Sequence, residues 1–208
     1  MAVQGHRGET LVHRDSVARE SSGDTALQAE LAAAYEKVGD VQGSPFVANL
    51  GHTAAAAESD RKALVLVQGV ASRAPDGQKA MRALPTGHYK LADVQASTGQ
   101  TAPGIESSRS GLALAERMAD SSLRHRGYLR LGDILISDGK PVDALESYRR
   151  ALAAVEALAA KSNVTGNRQS LAQTVARVGD ALVPRPRNIV LLRKTPPSRS
   201  GLRSEPRP

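Results

Sequence analysis

Four aspartates recur in this chain, each one residue after a small side chain in an otherwise apolar frame: Asp40, Asp93, Asp133 and Asp180. A basic residue precedes each of them by three positions: Lys37, Lys90, Arg130 and Arg177. On a helix such a spacing predicts solvated ion pairs, each worth about a few tenths of a kcal/mol. The alternative is an acidic row along a groove that selects basic partner segments. We favour the ion pairs, because repeats duplicate surface residues as readily as binding residues.

Catalytic chemistry would need residues that the sequence does not supply together. His13-Arg14-Asp15 spells the start of a protein-kinase catalytic loop, but Glu20 stands where that loop needs Asn for magnesium. No Gly-rich phosphate loop, strand lysine or Asp-Phe-Gly follows. The chain also has no cysteine, which excludes disulfides, thiolate nucleophiles and thiolate metal sites. We therefore predict no enzyme activity, no cofactor and no small-molecule substrate.

The histidines do not form a metal site in the sequence. The five of them are scattered, with no pair one helical turn apart and no carboxylate cluster at ligand spacing. His88 and His125 fall within the first-helix segments of two of the repeats described below. Ordinary surface or partly buried roles are predicted for both, and no bound metal is expected.

The elements that would position the aspartates are helical hairpins. The clearest copy runs from Tyr128 to Ala159, YLRLGDILISDGKPVDALESYRRALAAVEALA, with apolar residues at helical spacing in two runs. Residues 137–139 read as a turn between the runs, and Pro141 suits the first position of the second helix. The aspartate frames therefore mark repeats of a helix-turn-helix hairpin.

An aromatic residue, then Leu-Gly, then Ala144, Tyr148 and Ala151 resembles the tetratricopeptide repeat pattern. The resemblance implies that Gly132 lets the paired helices pack closely, and the equivalent residues are all small: Gly39, Ala92 and Gly179. It also implies that the first helix of each pair lines a concave groove for extended peptides or partner helices.

Two segments, ELAAAYEKVGDVQG and ALESYRRAL, are similar to the repeat region that follows the kinase domain in some large bacterial serine/threonine protein kinases. The resemblance spans roughly residues 10 to 182. It implies a second interpretation of the chain, as a regulatory region or fragment of such a kinase whose catalytic domain is absent from this sequence.

The repeats, numbered in chain order so that the clearest copy is repeat three, depart from the pattern in several places. In repeat one Asp60 takes the aromatic position, and a longer loop contains the only phenylalanine, Phe46. In repeat two Ser108 and Gly111 stand at the positions of Tyr148 and Ala151. Losing a buried aromatic side chain costs about 3–5 kcal/mol unless the space is refilled. The alternative is that shifted helices present other residues inward, such as Leu112 and Leu114.

The last 26 residues differ in composition from the rest. Repeat four keeps a first helix, but Pro184 and Pro186 stop a helix from continuing, so the lone helix is predicted to be either a terminal cap or the end of a truncated array. From Pro184 on, seven Arg or Lys residues face Glu205 alone. We predict a disordered basic tail. Binding of nucleic acid or an acidic surface is the disfavoured alternative, and a third hypothesis folds the tail back across the acidic row.

Composition bounds the whole chain. Its 208 residues are 40% apolar but only 2% aromatic, so the core must consist mainly of Ala, Leu and Val. No apolar run is long enough for a membrane span and no secretory signal is seen, so a cytoplasmic protein is expected. The predicted organisation is an N-terminal helical segment 1–26, repeats at about 27–72, 80–120 and 123–160, a half repeat 168–182, and the tail 183–208.

Together these observations predict an all-α protein, with antiparallel hairpins stacked as a tetratricopeptide-like solenoid. Its predicted function is a non-enzymatic scaffold that binds a protein or peptide partner, favouring basic segments, in the concave groove. The predicted groove residues are Glu36, Asp40, Tyr89, Asp93, Arg126, Asp133 and Asp180.

Overall fold

A computed structural model describes residues 23–45, 48–161 and 165–182. These residues form seven helices: α1 Thr25–Gly43, α2 Thr53–Arg73, α3 Gln78–Ser97, α4 Thr101–Arg117, α5 Ser121–Ser137, α6 Pro141–Lys161 and α7 Thr165–Leu182. No strand occurs within them, and the all-α prediction is confirmed. The His13-Arg14-Asp15 motif, Phe46, most of the N-terminal segment 1–26 and the tail 183–208 lie outside the described residues.

Each helix packs against the next one along the chain, and α3 also contacts α5. The pairs α1/α2, α3/α4 and α5/α6 are hairpins, which we call repeats one, two and three. Helix α7 is the first helix of repeat four. The predicted array of stacked antiparallel hairpins is therefore present. The surface of interest is formed by the first helices of the four repeats, α1, α3, α5 and α7.

Local chemistry sets the helix ends. The Asp24 carboxylate caps α1 by accepting hydrogen bonds from the backbone amides of Ala26 and Leu27 at 2.9 and 3.0 Å, as an N-cap aspartate does. Asp120 caps α5 in the same way. The turn that closes repeat three contains Gly139 at φ 74°, a left-handed conformation that glycine adopts without strain. The hairpins of repeats two and three close over three residues, 98–100 and 138–140, whereas nine residues, 44–52, connect the two helices of repeat one.

In repeat three a large residue on the second helix faces a small one on the first. The ring of Tyr148 is buried against Gly132, and a Cβ at Gly132 would clash with that ring. The Tyr148 hydroxyl donates a hydrogen bond to Oδ1 of Asp133 at 2.7 Å. The close approach predicted at Gly132 is confirmed.

Repeat two reverses the arrangement. Tyr89 of the first helix is 0% exposed and fills the space left by Gly111, where a Cβ would lie 2.6 Å from the tyrosine ring. Gly127 of the next helix faces the same ring, and the Tyr89 hydroxyl donates to the Leu123 carbonyl oxygen at 3.0 Å. Leu112 is buried as well. The missing aromatic of the second helix is thus replaced by one from the first.

Repeat one has a carboxylate where repeat three has its tyrosine. Asp60 is only 4% exposed, and its Oδ1 atom lies where a Cβ on Gly39 would come within 2.7 Å. That oxygen is buried without a hydrogen-bond partner. Burial raises the pKa of Asp60 to about 7; the Lys90 ammonium opposes this shift and the Asp40 carboxylate adds to it. The small position therefore accommodates a buried acid in repeat one.

Candidate partner-binding face

Ion pairs connect the first helices of successive repeats. The Lys90 ammonium lies 3.0 Å from both carboxylate oxygens of Asp40. Nε of Arg130 lies 2.7 Å from Oδ2 of Asp93, and Nη1 of Arg177 contacts Oδ1 of Asp133. We call these three pairs, Asp40–Lys90, Asp93–Arg130 and Asp133–Arg177, the ion-pair ladder.

Each rung of the ladder joins an aspartate to the basic residue of the following repeat. Pairing between helices thus replaces the predicted pairing within each helix, because neighbouring first helices pack close enough for the side chains to meet. The alternative of an open acidic row is also not what the structure contains, since a cation neutralises Asp40, Asp93 and Asp133. Only Asp180, which is exposed at the last helix, has no ion pair within the described part of the chain.

Burial differs from one rung to the next. The Asp93 side chain is 9% exposed, and burial raises its pKa, while the Arg130 guanidinium acts in the opposite direction. At the first rung Nζ of Lys90 also lies 3.7 Å from Oε2 of Glu36. The Lys90 ammonium therefore forms ion pairs with two carboxylates, those of Asp40 and Glu36. The middle rung, Asp93–Arg130, is therefore the most buried of the three pairs.

Two of the predicted groove residues, Tyr89 and Arg126, differ in exposure. Tyr89 is fully buried, so it belongs to the core and presents no surface to a partner. The reason is that Gly111 and Gly127 leave room for its ring, which the sequence of a single helix does not reveal. Arg126 is exposed on α5, and it stays available for contact with a partner.

An open cleft of about 1110 Å³ lies at the C-terminal end of this face, between α5, α6 and α7. Its wall carries the exposed apolar side chains of Val142, 79% exposed, and Ile136, 39% exposed. Arg177 and Asp180 form its polar edge. The sequence does not predict that Val142 and Ile136 are exposed, because an apolar residue near a helix end is usually expected to lie in the core. The cleft brings the last rung of the ladder, Asp180 and an apolar surface together.

His125 has a structural role in the contact between α5 and α7. His125 is 7% exposed, with Nε2 at 3.0 Å from the Thr174 hydroxyl. That hydroxyl itself donates to the Ser170 carbonyl oxygen at 2.7 Å, so the imidazole is the donor. Burial lowers the pKa of His125, and the nearby Arg126 guanidinium acts in the same direction, so both favour the neutral imidazole in this contact between α5 and α7.

Within residues 23–45, 48–161 and 165–182, no three His, Cys, Asp or Glu side chains are grouped so that they could hold a metal ion. None of the seven helices combines the length and apolar character that crossing a membrane requires.

No family model and no curated protein sequence matches the chain. Among solved structures, MamA is similar over 86% of this chain and 91% of its own, with 14% identity and a TM-score of 0.43. A Podosopora anserina protein described as a kinesin light chain with nearly identical TPR-like repeats is similar over 82% of this chain and 88% of its own, with 16% identity and a TM-score of 0.37. A variant of that protein with one substitution is similar over 82% of this chain and 87% of its own, with 16% identity and a TM-score of 0.37.

Proposed function

We propose that this chain is a non-enzymatic scaffold of tetratricopeptide type that binds a segment of a protein partner on its first-helix face. The observation that carries the proposal is the open cleft between α5, α6 and α7. A cleft of this size, open to solvent and with apolar walls, suits the side chains of a peptide or helix laid along the array. Exposed apolar side chains grouped beside polar ones are typical of protein-interaction sites.

The chemistry of the cleft defines the partner. Val142 and Ile136 offer apolar contact, and Asp180 offers a carboxylate with no ion pair of its own among the described residues. The best ligand therefore places a Lys or Arg next to an apolar residue. Because Asp40, Asp93 and Asp133 are already paired, they contribute alternating charge along the face and no excess of negative charge. Glu36 and Arg126 lie on the same face and are the predicted outer contacts.

The test is a selection of random peptides on the full-length chain. We expect selected peptides to share a basic residue beside a bulky apolar one, and to bind more weakly as salt rises. Peptides selected on the native chain should not bind the Val142→Asp variant or the Asp180→Lys variant. Val65→Asp is the matched control, because Val65 is also exposed, at 65%, but lies on α2 away from the cleft. Peptides that bind all three variants equally would contradict the proposal.

Two other functions remain proposals that rest on the sequence. A role within a bacterial serine/threonine kinase predicts an open reading frame that encodes a kinase domain directly upstream of Met1. Binding of nucleic acid or an acidic surface by the tail predicts binding that falls steeply with salt and disappears when the basic residues of the tail are replaced.

A further inference from the structure

One face of α7, formed by Val175, Gly179 and Leu182, is uncovered. Val175 is 52% exposed and Leu182 is 57% exposed. A Cβ at Gly179 would meet no atom within 4 Å. Among the described residues, therefore, nothing packs on Gly179, and only the side of α7 that carries Thr174 is buried.

The equivalent face of repeat three is covered by the second helix of its own hairpin. Leu135, which corresponds to Leu182, is only 3% exposed. Gly132, which corresponds to Gly179, lies against Tyr148 of α6, and Ala144 belongs to the same core cluster. The face of α7 is thus shaped for a second helix that the described residues do not provide.

The chain beyond α7 has a matching segment at the matching position. In repeats two and three the second helix begins at one fixed offset from the aspartate of the first helix, and the same offset in repeat four falls on Asn188. The three pairs are Asp93 with Thr101, Asp133 with Pro141, and Asp180 with Asn188. The register of the repeats therefore predicts that the second helix of repeat four would begin at Asn188 and continue into the residues that follow it.

Those residues are the apolar part of the tail. Ile189, Val190, Leu191 and Leu192 are consecutive, between basic residues on either side. In the register of the repeats, Leu191 corresponds to Gly104 and Ala144, which are both buried. Leu192 corresponds to Ile105, which is buried, and to Leu145, which is half-buried. Apolar side chains thus stand at two positions that are buried or half-buried at the start of the second helix in the preceding repeats.

We propose that residues 188–194 dock in cis on the uncovered face of α7, in the place that a second helix takes in the other repeats. The connection 183–187 contains Pro184 and Pro186, which end α7 without preventing a turn. Five residues reach up to about 17 Å, more than the 8–10 Å that typically separates packed helices. The segment completes repeat four and closes the end of the array, which a solenoid requires of its terminal unit.

The experiment uses single cysteines, because the full-length chain has none of its own. Leu182→Cys is labelled with a maleimide in two backgrounds, the native tail and a tail in which residues 189–192 are all changed to Ser. We expect labelling to be about ten-fold slower with the native tail, the ratio for a face that is covered in roughly nine molecules of ten. Val65→Cys is the control, and its rate should be equal in both backgrounds.

The other outcomes overturn the proposal in different ways. Equal labelling rates for Leu182→Cys in the two backgrounds mean that the segment does not dock. Protection that grows with protein concentration means that the face is covered by a second copy of the chain. Leu182 also borders the cleft between α5, α6 and α7, so Val175→Cys, which lies outside that lining, is labelled in the same two backgrounds. Protection of Val142→Cys and Leu182→Cys without protection of Val175→Cys means that the tail lies in the cleft. Because no partner peptide is used, these results do not depend on the proposed scaffold function.

Discussion

Replacing Asp60 with Asn should stabilise the protein, increasingly so as the pH rises. The Asp60 carboxyl is buried where repeat three has an aromatic ring, and its Oδ1 atom has no hydrogen-bond partner. Burying an unsatisfied charge is among the costliest features that a core can contain. Asn keeps the size of the side chain and removes the charge.

The magnitude follows from the pKa of Asp60, which burial raises from 3.8 to about 7. A raised pKa means that the folded state binds the proton more tightly than the unfolded state, so stability falls as the pH increases from 3.8 through 7. At about 1.36 kcal/mol per pH unit, the ionised group costs about 4 kcal/mol at pH 8. Between pH 5 and pH 8 the variant should therefore gain about 3 kcal/mol over the native chain.

The assay is urea unfolding of both proteins, followed by circular dichroism, at pH 5, 6, 7 and 8. Asp76→Asn is the control, because Asp76 is an exposed aspartate in the turn between α2 and α3, and its profile should run parallel to that of the native chain. If the free energies of unfolding of Asp60→Asn and the native chain also ran parallel from pH 5 to pH 8, the buried-acid reasoning would be refuted.

Two further predictions concern residues at equivalent positions in different repeats. Gly132→Ala should destabilise the protein by about 1–3 kcal/mol, because its Cβ would clash with the buried Tyr148 ring. Gly179→Ala, made in the background with residues 189–192 changed to Ser so that α7 is uncovered, should instead stabilise it by up to about 1 kcal/mol, since no described residue packs on that helical position; thermal melting of both variants, each against its own background, checks the opposite signs. Arg130→Met should cost about 1–3 kcal/mol by leaving Asp93 buried and unpaired. Arg61→Met, which breaks only an exposed pair, should cost less than about 1 kcal/mol, and similar losses in urea unfolding would contradict the ranking.

The sequence was sufficient for the fold because its signals are local. Apolar residues at helical spacing, the turn at residues 137–139 and Pro141 at the start of a helix each act within a few residues, and the hairpins follow from them. The sequence also predicts the close packing at Gly132, because its partner Tyr148 belongs to the same hairpin. Short-range patterns of this kind survive in one sequence without any knowledge of neighbouring repeats.

The surface could not be predicted as well, because it depends on which helices are neighbours in space. The basic residue before each aspartate suggested pairing within one helix, whereas Lys90 reaches back to Asp40 of the preceding repeat. Tyr89 looked like a groove residue because the glycines that admit its ring lie on two other helices. Contacts that join separate repeats leave no periodic signal within either of them.

The ion-pair ladder also bears on how an array of this kind could be lengthened or shortened. Every first helix carries its acid and its basic residue at the same spacing, and each acid meets the basic residue of whichever repeat comes next. Removing repeat three as a unit would bring Arg177 opposite Asp93, with the charges still matched. Duplicating it would add a rung of the same polarity. The electrostatics are therefore indifferent to the number and the order of the repeats, so whole-repeat insertions and deletions leave this surface electrically balanced.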